Sequence, residues 1–280
     1  MHVWHELADI DPDLGPTVVV IGNFDGVHRG HQRVIASARE VAGGEGGLPV
    51  VAVTFDPHPM TVIRPDKAPA SLTSLSVRCD LLAAAGADAV LVLRFDESLA
   101  DMSAEDFVTD VVLGALHART VVVGENFRFG HRAAGDVALL SKMLAEAGGT
   151  AVGLVLDGTE DQAWSSTYIR GRVAEGDVAA AARALGRPFT VRGTVVRGDQ
   201  RGRALLGFPT ANVPVTGTVL AVPADGIYAG WLQRIDVAGA PRWPAAISVG
   251  SNPTFDGVDR RVESYVLDRD DLELYGATVD

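Results

Sequence analysis

The sequence predicts an α/β protein: an open, doubly wound parallel sheet over the first two-thirds of the chain, then a smaller antiparallel β module. Three observations carry this expectation. Up to about residue 186, five short β-branched runs alternate with helical stretches. The runs are almost continuously apolar, as strands of a parallel sheet are when both of their faces are covered. After Leu185-Gly186-Arg187-Pro188 the texture changes to alternating apolar and polar residues spaced by Gly and Pro, the pattern of a small antiparallel barrel or sandwich. The 280 residues suffice for two domains with a core each, expected at 1–186 and 187–280.

The strand candidates of the first domain are TVVVIG (17–22), VVAVTF (50–55), AVLVL (89–93), TVVVG (120–124) and AVGLVL (151–156). Helices are expected over 31–42 and 74–85. A third begins at Ser103, with Asp106 three residues on as a variant capping box. A fourth spans 136–147 and stops at Gly148-Gly149. The Ala-rich stretch 178–185 reads as a joining helix that ends at Gly186. In the second domain FTVRGTVVRG, GIYAGWLQRI, AAISVGS and RRVESYVLD are the strand candidates.

Composition excludes several classes. The net charge of −12 argues against a nucleic-acid footprint. The two lysines, Lys67 and Lys142, follow no glycine-rich loop, so a GK[ST] phosphate loop is absent. The N-terminus has no basic region followed by an apolar run, and the apolar runs are strand-sized. The expectation is a cytoplasmic protein with no membrane partner; oligomeric state is not legible. The one cysteine, Cys79, falls in a helix and is expected to be a buried, inert thiol.

Residues 22–31 read GNFDGVHRGH, between the first strand and the first helix. Gly22, Gly26 and Gly30 permit a tight turn and close approach of backbone to phosphate. The helix start adds free N–H groups and the positive end of its dipole. His28 and His31, three apart, share a face there. Two imidazoles so placed can donate to a triphosphate and stabilise charge as an α-phosphate is attacked. Alone, HxGH equally describes two capping or core histidines. A second motif, SSTYIR (165–170), supplies Ser165, Ser166 and Thr167 as hydroxyl donors and Arg170 one turn on as a phosphate clamp. Alone it would read as an N-cap.

Together HxGH and SSTxxR resemble the nucleotidyltransferase superfamily. GNFDGVHRGHQ (22–32), TFDPHP (54–59), GENFRFG (124–130) and SSTYIR occur in the order seen in the prokaryotic bifunctional riboflavin kinase/FAD synthetase family. The resemblance covers nearly the whole chain. It implies a Rossmann-like nucleotidyltransferase domain followed by a riboflavin kinase-like β-barrel. It implies that His28, His31, Ser165, Ser166, Thr167 and Arg170 handle ATP, with Gly22, Asn23, Phe24, Asp25 and Gly30 beside it. Asn126 is implied to contact the reacting phosphates. Pro57, His58, Phe127 and Phe129 are plausible walls for an isoalloxazine ring, though each Phe equally reads as packing beneath a loop. Asp56 and His58 do not suggest a metal site, because Pro57 and Pro59 make the segment a rigid loop.

In the second domain, RGDQRGRALLGFPTAN (197–212) is a glycine-rich loop that bears Arg197, Arg201 and Arg203, phosphate-binding or only solvated. Thr210 and Asn212, two apart in an extended segment, point to one side. They form a weak hard-oxygen site of the kind Mg²⁺ accepts when phosphates complete its shell. The segment resembles the PTAN of the riboflavin kinase module, which holds Mg-ATP, and SVGSNPTF (248–255) and VESYVLD (262–268) resemble that module too. This implies Gly198, Arg203, Gly207 and Pro209 as kinase ATP contacts, Thr210 and Asn212 at the metal, and Glu263 as the base at the ribityl 5′-hydroxyl. In the family this module continues past LYG with a further strand and helices, while this chain ends at Asp280, which leaves an expected exposed barrel edge.

The expected function is bifunctional: riboflavin plus ATP gives FMN, and FMN plus ATP gives FAD and pyrophosphate, both with Mg²⁺. The alternative is an adenylyltransferase alone, with the shortened kinase barrel inactive. A flavin-binding regulator has no use for the His28/His31 pair and Arg170. A cytidylyltransferase has no use for GENFRFG and PTAN.

Overall fold

The computed structural model describes residues 1–155, 164–197, 210–216, 219–254 and 257–280. Gly198, Arg201, Arg203, Gly207 and Pro209 lie outside the described residues. The chain divides into two compact units, Met1–Ser166 and Thr167–Asp280.

The first unit is built on a six-stranded parallel sheet. Its strands are β1 (His2–Trp4), β2 (Thr17–Ile21), β3 (Val50–Asp56), β4 (Ala89–Arg94), β5 (Ala118–Gly124) and β6 (Thr150–Leu154). The lateral order is β1-β4-β3-β2-β5-β6, every pairing parallel. Five of these strands match the apolar runs of the sequence. The edge strand β1 was not expected; it is three residues long and carries no period.

Alternate side chains of β2 and β3 feed two separate cores, because successive residues of a strand face opposite ways. Val19, Ile21, Val51 and Val53 pack on one face, under the helical segment Ala104–Ala115 and α6 (Val137–Glu146). Val18, Val20, Val50 and Ala52 pack on the other, under α1 (Arg29–Gly44) and α3 (Leu75–Ala85). Valines 18, 19 and 20 have no exposed surface, and each such burial stabilises by about 1.5–3 kcal/mol before entropy is counted. The short helices α2 (Pro59–Ile63) and α4 (Glu97–Asp101) cover loops.

Local signals set the helix ends. Ser74 Oγ accepts from Val77 N at 3.4 Å, and α3 stops at Gly86 with φ of 112°. Ser103 Oγ accepts from Asp106 N at 2.9 Å, opening α5 (Ala104–Asp106), as its position suggested. From Phe107 to Ala115 the helix widens to π geometry, which no sequence pattern announces. Cys79 is free and 7% exposed in the core; burial pushes its thiol up, as an inert cysteine requires. No helix among the described residues is long and apolar enough to cross a membrane.

In the second unit, α7 (Ser166–Ala174, grouped here from Thr167) and α8 (Val178–Leu185) precede the β module. The change of texture in the sequence puts the boundary after Gly186; the compact units divide between Ser166 and Thr167. The module has β7 (Gly193–Thr194), β8 (Ala211–Pro214), β9 (Gly226–Gln233), β10 (Arg242–Thr254), β11 (Gly257–Val266) and β12 (Thr278–Val279). Four strands pair antiparallel in the order β8-β11-β10-β9, and β12 pairs with β7. Two bridges join these sheets: Val196 to Asn212, and Arg234 to Val279. The ring β9-β10-β11-β8-β7-β12-β9 is therefore closed around Val195, Val213, Leu232, Val249, Val262 and Val266.

Closure corrects the expectation of an exposed edge. Gln233 and Asp280 exchange both backbone hydrogen bonds at 2.9 Å, and Val195 N donates to Ala277 O. Arg192 grips the Asp280 carboxylate with two hydrogen bonds, Nε to Oδ1 at 2.6 Å and Nη2 to Oδ2 at 2.9 Å. The pair is mostly buried, with side chains 18% and 23% exposed. Arg192→Ala is expected to cost about 1.5–3 kcal/mol, by the usual worth of hydrogen bonds to charged groups. Thermal unfolding checks this; an unchanged midpoint would mean the strand closes without the ion pair.

Candidate functional site

The order in which strands are added to the parallel sheet reverses between β2 and β5: from β2 the chain winds outward to β3 and β4, then returns to the other side at β5. Ligands of open α/β sheets bind in the crevice beyond the strand C-termini at such a switch point. GNFDGVHRGH leaves the end of β2, TFDPHP the end of β3 and GENFRFG the end of β5. The order β3-β2-β5 sets these three motifs side by side.

The turn after β2 is sharply folded. Phe24, Gly26 and Val27 have φ of 48°, 82° and 38°. Val27 is β-branched and 1% exposed, so a left-handed backbone there is strained and held by its surroundings. Asp25, also 1% exposed, does much of the holding. Its carboxylate accepts from Leu72 N at 2.9 and 3.0 Å, from Thr73 N at 3.2 Å and from Thr73 Oγ1 at 3.3 Å. Gly26 N donates to Thr73 Oγ1, and Ser166 Oγ donates to Asp25 O at 2.8 Å. Asp25 thus ties the turn to residues 72–73, a use that its place within GNFDG does not signal. Phe24, 2% exposed, backs the turn from the core; its ring meets His31 edge-on at 5.2 Å.

The turn delivers His28 as the N-cap residue of α1. The His28 and His31 rings stack, centroids 3.6 Å apart with planes 22° apart, so the two imidazoles act as one unit. Gly30 makes room for this: a Cβ there would lie 3.1 Å from two atoms of the His28 ring. His31 Nδ1 is buried without a hydrogen-bond partner. Burial first, then His28 and Arg78, hold the His31 imidazolium well below its usual range, so this ring is neutral at pH 7. The unfolded chain takes up a proton on His31 below about pH 6.5 and the native fold does not, so this group costs stability as pH falls through that value.

Asn126 is exposed in the turn after β5, open to a ligand. Phe127 and Phe129 stack at 5.3 Å with planes 14° apart, but they are not equivalent. Phe129 is 9% exposed and packs on Phe107 in the core; half-buried Phe127 lies over it. Pro57 is exposed, and His58 caps α2, its Nδ1 accepting from Met60 N at 3.1 Å. Trp164 carries the Arg29 guanidinium over its ring at 5.4 Å, a contact near Ser165 that no motif signalled. Ser166 opens α7, and Thr167 and Arg170 follow on its first turns.

In the second unit the strand register does what the sequence could not. Asn212 on β8 is the direct cross-strand partner of Glu263 on β11, and Glu263 is the partner of Ser248 on β10. PTAN, VESYVLD and SVGSN thus supply one row of side chains, on the face turned away from the Val213–Val262 core. Directly opposed Cβ atoms lie about 4.5–5.5 Å apart. Asn212, 4% exposed, turns its Nδ2 to Thr210 O at 3.1 Å and Thr210 Oγ1 at 3.2 Å. Its Oδ1 is left as acceptor, next to a hydroxyl and opposite a carboxylate. That all-oxygen donor set fits Mg²⁺. Arg197 lies over the Tyr275 ring at 5.0 Å.

Comparison with known proteins agrees with both halves. The FAD synthetase family profile matches residues 10–168 and the riboflavin kinase profile residues 185–280. A bifunctional riboflavin kinase/FMN adenylyltransferase of Escherichia coli K12 is 38% identical over 266 residues, spanning 92% of this chain and 80% of that protein. The chain belongs to the bifunctional riboflavin kinase/FMN adenylyltransferase family. A relative of the same description from Bacillus subtilis is 33% identical over 285 residues, covering 100% of this chain and 86% of its own. A crystal structure from Streptococcus pneumoniae, described as a macrolide-efflux protein, superposes with a TM-score of 0.84 at 31% identity, over 99% of this chain and 87% of that one. The residue ranges of the two family profiles put the histidine pair in the FAD synthetase half and the Asn212–Glu263 row in the riboflavin kinase half.

Proposed function

We propose that this chain makes both flavin nucleotides in the cytoplasm. The second unit takes riboflavin and ATP: the ribityl 5′-hydroxyl oxygen attacks the γ-phosphorus, Glu263 accepts the hydroxyl proton, and ADP leaves. Thr210 and Asn212 hold Mg²⁺, which supplies charge neutralisation at the transferring phosphoryl group. The adenylyl-transfer site takes FMN and a second ATP: a phosphate oxygen of FMN attacks the α-phosphorus, the bond to the α–β bridging oxygen breaks, and pyrophosphate leaves. His28 and His31 stabilise the charge that develops on the α-phosphate, with Ser166, Thr167 and Arg170 on the departing phosphates and Asn126 at the reacting centre. Gly22, Asn23 and Gly30 keep the backbone close to ATP, while Asp25 and Phe24 hold the turn's shape. Pro57, His58 and Phe127 flank the flavin, with Phe129 beneath.

The observation that supports this most is the stacked histidine pair at the start of α1, on the switch point of the sheet. The experiment is a chromatographic time course with the full chain, Mg-ATP and either riboflavin or FMN. FMN from riboflavin and FAD from FMN are the expected products. FAD alone would leave only the adenylyltransferase reading, and neither product would overturn both.

A further inference from the structure

The turn that presents His28 is held by a residue in none of the motifs. Arg78 on α3 is 3% exposed. Its Nη1 donates to Phe55 O at 2.8 Å and to Thr54 Oγ1 at 3.3 Å, and Thr54 Oγ1 donates onward to Asn23 O at 3.1 Å. A relay therefore runs from α3 through β3 into the GNFDG turn. Arg78 Nε is buried with no hydrogen-bond partner, and no carboxylate among the described residues pairs with this guanidinium. A buried charge ordinarily has an ionic partner, because desolvating it alone costs several kcal/mol. A cation left without one beside a phosphate-handling turn calls for an anion that the protein does not supply.

We propose that Arg78 is a positioning residue of the adenylyl-transfer site: it braces the turn that delivers His28 and sets a fixed positive charge behind the histidine pair for the nucleotide's phosphates. This rests on the reading of the first unit given above. Two charged or titratable groups bear on His31: His28, stacked on it from the start of α1, and Arg78 from α3. Phe24 closes a third side and is apolar. With a guanidinium near it, His31 stays a neutral hydrogen-bond donor, and the positive charge that Arg78 adds to the site is one that never titrates.

The test compares Arg78→Gln and Arg78→Lys with the parent in two readouts. The first is steady-state FAD formation from FMN and Mg-ATP; the second is an NMR pH titration of isotope-labelled histidines without nucleotide. Arg78→Gln should lower kcat/KM for ATP by about tenfold or more, the scale of losing one preorganised electrostatic contact, and should raise the pH at which His31 titrates. Arg78→Lys, which keeps the charge, should restore much of both, while FMN formation from riboflavin stays at the parental level throughout. A glutamine variant with parental kinetics and parental His31 titration overturns the proposal, as does a lysine variant no better than glutamine. Should Arg78→Gln fail to fold, Arg78→Met, also neutral, takes its place in both readouts with the same expected and overturning results. If the parent forms no FAD, the functional reading fails, and the His31 titrations still test Arg78.

Discussion

His28→Ala is expected to lower FAD formation from FMN by about 10²–10³-fold, the usual cost of removing one preorganised donor from a developing oxyanion. FMN formation from riboflavin should not change. The reason is geometric. His28 is the N-cap of α1, 4% exposed, with its ring stacked on His31 at 3.6 Å. Truncation removes one imidazole and opens a hole beside the other, so the two act as a unit and their losses will not add. The loss should appear equally in kcat and kcat/KM, because charge builds at the α-phosphate only in the transition state. Separate chromatographic assays of the two half-reactions measure this. Retained FAD synthesis would remove His28 from the chemistry.

Glu263→Gln should have the converse effect, lowering FMN formation from riboflavin by about 10²–10⁴-fold, the range for loss of a general base, with FAD formation from supplied FMN intact. Glutamine keeps the size of the side chain in β11, so the row Asn212–Glu263–Ser248 should hold its register. What it cannot do is accept the proton of an attacking hydroxyl. An unchanged rate in a parent that makes FMN would show that the proton goes elsewhere.

The site was legible in unequal parts. HxGH, GENFRFG and SSTYIR are contiguous runs, and a run that leaves a strand for a turn or helix shows its place in an α/β sheet directly. Strands β2 to β6 were legible for a similar reason: a strand buried on both faces must be apolar throughout. Roles within the motifs were less so. Asp25 looks like a ligand contact in GNFDG, yet its carboxylate is taken up by Leu72 and Thr73, nearly fifty residues away. Phe127 and Phe129 are indistinguishable as letters, and only packing makes one a core residue. Arg78 had a faint signal: three residues after Leu75 and four before Leu82, it is a charge in the apolar stripe of its helix.

The kinase half depended most on tertiary structure. β7 and β12 are two residues each, too short to carry any period, and they close the ring with β8 and β9. Thr210 and Asn212 declare themselves as a pair by spacing alone. That Glu263 stands directly opposite Asn212 comes from strand register, which the chain sets through the packing of Val213 and Val262 on the other face. By itself, the sequence determined the class of each half and the order of the motifs, because periodicity and spacing are local; the chemistry of the motifs followed from their resemblance to a known family. The tertiary structure decided which distant residues meet: Arg78 with Phe55, Asp25 with Thr73, Asn212 with Glu263. Pairing across the chain depends on burial and register, and neither can be read from neighbours in sequence.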